Sequence, residues 1–208
     1  HITVEEVNTM HPSPAFFCVN GDLIMSASRA FGVVPDENDR QKAFSEFNSF
    51  KAVADRLNAD IPLKLTLGNH DTHPGEIDPV LFWEVFPGYP PYQALDIAGV
   101  HVIFLNGHST GYIDNVQEVW LRNEIHKIPK HKTIILFVHQ PSMSRRVRER
   151  GIPKAIANAF NEHYGEIWMI GGHEHTNDQK ICRLKNTTGL APAEVLEGCC
   201  NTRRCSRS

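Results

Sequence analysis

No stretch of this chain stays apolar for the roughly 20 residues that a helix needs to cross a bilayer, so no membrane-spanning helix is expected. A basic surplus is also lacking. The 21 Lys and Arg stand against 24 Asp and Glu, a net charge of −3, so nucleic acid is not expected as the main partner. Cysteine is scarce, with five residues, an odd count that rules out a complete disulfide framework. None has CxxC spacing, so no thiolate zinc site is expected. Cys18 reads as a buried thiol, Cys182 is isolated, and Cys199, Cys200 and Cys205 crowd the end of the chain. There is no internal repeat and no low-complexity linker. Nor does a charged segment followed by an apolar one open the chain, and the compartment and oligomeric state stay open. What remains is ordinary globular usage, 41% hydrophobic and 22% charged over 208 residues, which suits one domain. Histidine stands out, with 12 copies.

Hydrophobic periodicity divides the chain into alternating strands and helices. Thr3-Val4-Glu5-Glu6 has the form of a capping box at a short helix, ended by Pro12 and Pro14. Ala15–Val19 is a continuous apolar run that suits a strand covered on both faces. Over residues 37–58, Phe44, Phe47, Phe50, Val53, Ala54 and Leu57 recur at three- and four-residue spacing, which predicts an amphipathic helix. Further strands are predicted at Leu63–Leu67, at Tyr92–Leu95 paired hairpin-like with Val100–Leu105, at Thr133–Val138, at Ile167–Ile170 and, more weakly, near Gln179–Leu184. Helices are predicted around Leu81–Phe86, 115–127 and 154–163. This alternation points to an α/β or α+β layered sandwich around a largely parallel sheet. Residues 1–188 form the expected domain, and 189–208 a poorly structured tail rich in Cys and Arg.

Four predicted strands end in a turn that carries ligand-type residues. These are Asn20-Gly21-Asp22, Gly68-Asn69-His70-Asp71, His139-Gln140-Pro141 and Gly171-Gly172-His173-Glu174-His175. Open α/β sheets bind ligands in the crevice at the carboxyl ends of their strands. Four such ends side by side gather Asp22, Asn69, His70, His139, His173 and His175 in one pocket. Oxygen and imidazole donors suit zinc, manganese or iron.

In order and spacing these motifs resemble the calcineurin-like metallophosphoesterases over about residues 2–184. The similarity extends to the cyclic-nucleotide-phosphodiesterase-like and purple-acid-phosphatase-like branch, through Gly99–Leu105, Ile113–Gln117 and Trp120-Leu121. The resemblance implies a four-layer α/β/β/α sandwich and hydrolysis of a small phosphomonoester or phosphodiester by metal-bound hydroxide at two ions. It implies that Asp22 bridges them, that Asn69, His139 and His173 bind one ion, and that His175 binds the other. His70 then faces the leaving group, with Asp71 holding its imidazole.

The family's Asp-x-His strand, which supplies two further ligands of the His175 ion, has no counterpart before Asp22. Three readings stand: a fragment that lacks its first strand, a site with one well-held ion, or a non-catalytic metal- or phosphate-binding relic. Substrate contacts are expected from His73, His108 and Arg145, the last in a basic loop that attracts anions. His101, in an alternating strand, is expected to be structural or at the surface.

Overall fold

The computed structural model describes residues 3–25, 36–72, 80–107, 113–140, 160, 163 and 165–173, with backbone also at 179–183 and 194–199. Its elements run α1 (Val4–Asn8), β1 (Phe17–Asn20), α2 (Glu37–Ala54), β2 (Leu63–Thr66), α3 (Val80–Val85), β3 (Gln93–Ile97), β4 (Val100–Phe104), α4 (Asn115–Lys127), β5 (Ile134–Phe137), β6 (Ile167–Gly171), β7 (Gln179–Arg183) and β8 (Glu194–Cys199).

Local chemistry sets the helix starts. Glu6 N donates to Thr3 Oγ1 and Thr3 N to Glu6 Oε2, which closes the capping box of α1. Asp36 and Asp39 close the same reciprocal pair at α2. Asp114 caps α4 by accepting from Gln117 N at 2.7 Å. That helix stops at Ile128, which is extended (φ −97°, ψ 149°), as the residue before Pro129 must be.

Among the described residues the strands form two sheets. β1 and β2 pair in parallel, and the other six are ordered β3-β4-β5-β6-β8-β7. β4, β5, β6 and β8 are mutually parallel, with antiparallel β3 and β7 on the two flanks. The β3–β4 hairpin extends further than expected. β3 continues to Ile97, and Ala98 and Gly99, both at positive φ, make the tight turn.

A larger correction concerns the chain end. Residues 194–199, expected to be poorly structured, form β8 between β6 and β7. A strand hydrogen-bonded on both sides takes its order from its neighbours' backbones and needs little periodicity of its own. The helix predicted at 154–163 falls outside the described residues, except for buried Phe160 and His163.

Two apolar clusters separate the layers. Ile103, Leu105, Ile134, Leu136, Val138, Ile167 and Met169 pack with Leu121 and Ile125 of α4 on one face of the large sheet. Leu65 and Leu67 pack with Ala43 and Phe47 of α2 and with Phe82 and Val85 of α3. Between the sheets, Phe16 sets its edge against the stacked rings of Phe104 and Phe137. The layers are therefore α2/α3, the small sheet, the large sheet and α4. The half-buried Cys18 thiol is pushed up to about 12 by burial and stays neutral. His101 is buried and structural, with Nδ1 3.1 Å from Asp96 and Nε2 3.5 Å from Glu124. Among the described residues, no helix is long and apolar enough to cross a membrane.

Candidate metal centre

Parallel strands deliver their carboxyl ends to a common edge. β1 leads through Gly21 to Asp22, β2 through Leu67 and Gly68 to Asn69, β5 through Val138 to His139, and β6 through Gly172 to His173. Ligand-capable atoms of Asp22, His139 and His173 lie within 4.8 Å of one another. His139 Nε2 is 3.2 Å from Asp22 Oδ1 and 3.3 Å from Asn69 Oδ1. His173 Nδ1 is 2.7 Å from Asn69 Oδ1. Bonds of about 2.0–2.2 Å to a single ion place adjacent donors about 3–3.5 Å apart. The two His139 spacings match this. The 2.7 Å His173–Asn69 spacing, a hydrogen-bond distance, would have to open slightly for the four side chains to hold one transition-metal cation. No thiolate is involved.

The turns that bring the donors together are tight. Gly21 has φ +79°, and a Cβ there would lie 2.5 Å from the ring carbon Cγ of His139. Asp22 and His173 themselves adopt φ 54° and 63°, in the left-handed region that non-glycine residues occupy at a cost. Two of the four donors are thus held in strained backbone, as is common where the surrounding structure over-determines a functional site.

Hydrogen bonds orient the donors. His139 Nδ1 donates to the Asn20 carbonyl at 2.9 Å, because a carbonyl only accepts, and this directs Nε2 into the cluster. The His70 N–H donates to Asp22 Oδ1 at 3.0 Å. Burial alone would push the Asp22 carboxyl up, but the hydrogen bond and charge of His139 outweigh it and hold Asp22 below its usual value. Reciprocally, burial disfavours the His139 cation, yet Asp22 beside it raises His139 above the ordinary histidine value. The two form a partly buried ion pair.

Asp71 departs from the expected role. It does not hold the His70 imidazole. Its Oδ1 accepts from Ile24 N at 3.0 Å and its Oδ2 from Gly68 N at 2.8 Å, so it ties the loop after Asp22 to the turn before Asn69. His70 Nδ1 instead meets the Met25 carbonyl at 3.3 Å. Adjacent turn residues project in different directions, and the open N–H groups of the two loops capture the carboxylate. Burial pushes Asp71 up to about 7, with the two N–H donors opposing the rise and the Asp22 charge adding to it.

Of the remaining expected site residues, His175, His73, His108 and Arg145 lie outside the described residues. The turn pattern assigned no role to Asn20, whose side chain donates to the Ile170 and Val138 carbonyls and accepts from Thr66 Oγ1. Its position just before Gly21-Asp22 was the only signal available in the sequence.

A family model described as calcineurin-like phosphoesterase matches residues 3–177. Among solved structures, one titled "Structure of PhoD" is similar, with a TM-score of 0.52 and 11% identity over 88% of this chain. The chain spans 50% of that protein's length, and at such identity the likeness concerns the fold. No curated protein matches.

Proposed function

This chain belongs to the calcineurin-like phosphoesterase family, and on that premise we propose that it hydrolyses a phosphomonoester or phosphodiester at a cation held by Asp22, Asn69, His139 and His173. The observation that carries the proposal is the convergence of donor atoms from four separate strand ends. When bound, the cation supplies Lewis acidity toward a phosphoryl oxygen and makes a water available as nucleophile near neutral pH.

The chain's own groups do the rest. Asp22 offsets cationic charge, and Asn69 contributes an oxygen without adding charge. The Asn20 carbonyl keeps the proton on His139 Nδ1, which leaves the Nε2 lone pair for the cation. On the sequence resemblance His70 faces the leaving oxygen and donates the proton it needs; its Nδ1 meets the Met25 carbonyl, which leaves Nε2 for that role. Asp71 acts behind the site, holding the two ligand loops together. A second cation is assigned to Asp22 and His175 on the sequence resemblance, and substrate contacts to His73, His108 and Arg145 on their positions in the sequence. Manganese, iron and zinc all suit these donors.

Purified protein loaded with Mn²⁺, Fe²⁺ or Zn²⁺ is expected to turn over nitrophenyl phosphate or bis(nitrophenyl) phosphate. Asn69→Ala and His139→Ala should each lower that rate by about 100-fold or more, since loss of a group that only orients a ligand already costs about 10–100-fold. Full activity in either variant refutes the assignment. Firm metal binding without turnover of either ester identifies the non-catalytic relic instead.

A further inference from the structure

The four donors divide evenly between two sheets that share no strand pairing. Asp22 and Asn69 follow β1 and β2 of the small sheet, and His139 and His173 follow β5 and β6 of the large one. Face-to-face sheets are held by side-chain packing, which tolerates small sliding movements. A metal site tolerates much less, because donors displaced by a few tenths of an ångström no longer converge.

Among the side chains that cross this seam, Asn20 bonds to both sheets close behind the donors. Asn20 is the last residue of β1, in register with Thr66 at the end of β2. Its Oδ1 accepts from Thr66 Oγ1 at 2.8 Å. Its Nδ2 donates to the Ile170 carbonyl of β6 at 3.0 Å and reaches the Val138 carbonyl after β5 at 3.4 Å. An amide offers both donors and acceptors, so it can satisfy a hydroxyl on its own sheet and carbonyls on the other at once. The Ile170 carbonyl also receives Val138 N, so Asn20 joins the large sheet where β5 and β6 are already tied. Every anchor sits close to a donor in the chain: Thr66 shortly before Asn69, Val138 next to His139, Ile170 shortly before His173, and Asn20 itself just before Asp22. The same residue's backbone carbonyl fixes the His139 ring.

We propose that Asn20 is a positioning residue that sets the offset between the two sheets at the metal cluster and, through its anchored backbone, the presentation of His139 Nε2. The proposal rests on the cation reading of the Asp22, Asn69, His139 and His173 cluster and extends it to a residue that does not touch the ion. An aliphatic residue could fill the space of Asn20 but could not register one sheet against the other. An aspartate would keep the Thr66 contact while setting an oxygen against two carbonyl oxygens.

The test uses Co²⁺, which reports both affinity and coordination geometry through its visible absorption. In the wild-type chain Co²⁺ should bind with one well-defined visible spectrum. Asn20→Ala and the isosteric Asn20→Asp should each bind Co²⁺ about 10–100-fold more weakly, the range for groups that orient ligands, and with a changed spectrum. A residue that only stabilised the fold would lower the melting temperature and leave the spectrum of the bound ion unchanged. Wild-type affinity and spectrum in either folded variant overturn the proposal, and the isosteric variant keeps the test open should the alanine variant not fold. Failure of the wild-type chain itself to bind Co²⁺ overturns the cation reading as well, so the two failures are distinguishable.

Discussion

Glycine-to-alanine substitutions around the metal cluster offer a graded test of how tightly it is built. Gly107, Gly172 and Gly68 all lie outside the left-handed region, so adding a methyl group at each tests space alone. At Gly107 the nearest atoms to a new Cβ lie at 3.7 Å, an ordinary contact. Alanine there should be neutral, or stabilising by about 0.4–1 kcal/mol through the unfolded chain. At Gly172 the Asn20 carbonyl and His139 Nδ1 lie at 3.2 Å, so a shift of a few tenths of an ångström is required. At Gly68 the Cβ would press on the Asp22 carboxylate and sit 2.5 Å from Asp22 N and 2.8 Å from His139 Cδ2. The carboxylate can rotate, but only by leaving the cluster, and the backbone nitrogen cannot move alone. Overpacking of this kind costs about 1–3 kcal/mol. For a chain of this size that is a fall of roughly 2–12 °C in melting temperature. Thermal melts followed by circular dichroism, with Mn²⁺ titrations, should rank the variants Gly107→Ala, Gly172→Ala and Gly68→Ala in order of increasing damage. Metal affinity should fall furthest in the last. Gly68→Ala melting and binding Mn²⁺ like the wild type would refute the packing argument and the placement of Asp22 with it.

Metal removal should destabilise the chain, since cation at ~100 times its Kd adds about 2.7 kcal/mol, or roughly 5–11 °C, which chelator should abolish in a thermal melt. Affinity for Mn²⁺ should rise with pH through the raised titration of His139, because the ion must displace the proton that Asp22 favours there, and calorimetry in two buffers should detect its release. In the metal-free chain Asp71 and His139 both hold protons to higher pH than in the unfolded chain, so their contribution to stability falls as pH rises. For Asp71 the window runs from about 4 to about 7. Its rise from 3.8 to about 7 corresponds to on the order of 4 kcal/mol of buried-charge cost at high pH. Asp22, held low, acts oppositely, and its contribution is lost as pH falls through its lowered value. Asp71→Asn should therefore flatten the decline of urea stability between pH 4 and 7, and an unchanged slope would refute the buried-carboxyl account.

Much of this site was legible in the sequence, because strand ends carry their own signature. An apolar run stopped by polar residues, with Gly beside Asp22, Asn69 and His173, located these three and His139, and all four converge. The capping box at Thr3 is a local device and equally readable. What escaped depends on partners distant in the chain. Asn20 bonds groups 118 and 150 residues away, which no spacing rule connects. Asp71 was assigned to its neighbour His70, although N–H groups of two converging loops had the stronger claim. β8 was missed because its order comes from β6 and β7 rather than from a pattern within Glu194–Cys199.

The left-handed backbone at Asp22 and His173 bears on how such a chain drifts over generations. Either position would be more comfortable as glycine, and a lineage released from its chemistry would find that replacement downhill. A chain with aspartate at the first and histidine at the second carries a local conformational cost, offset in part by the His70 N–H and His139 contacts to Asp22 and further by any ion the donors hold.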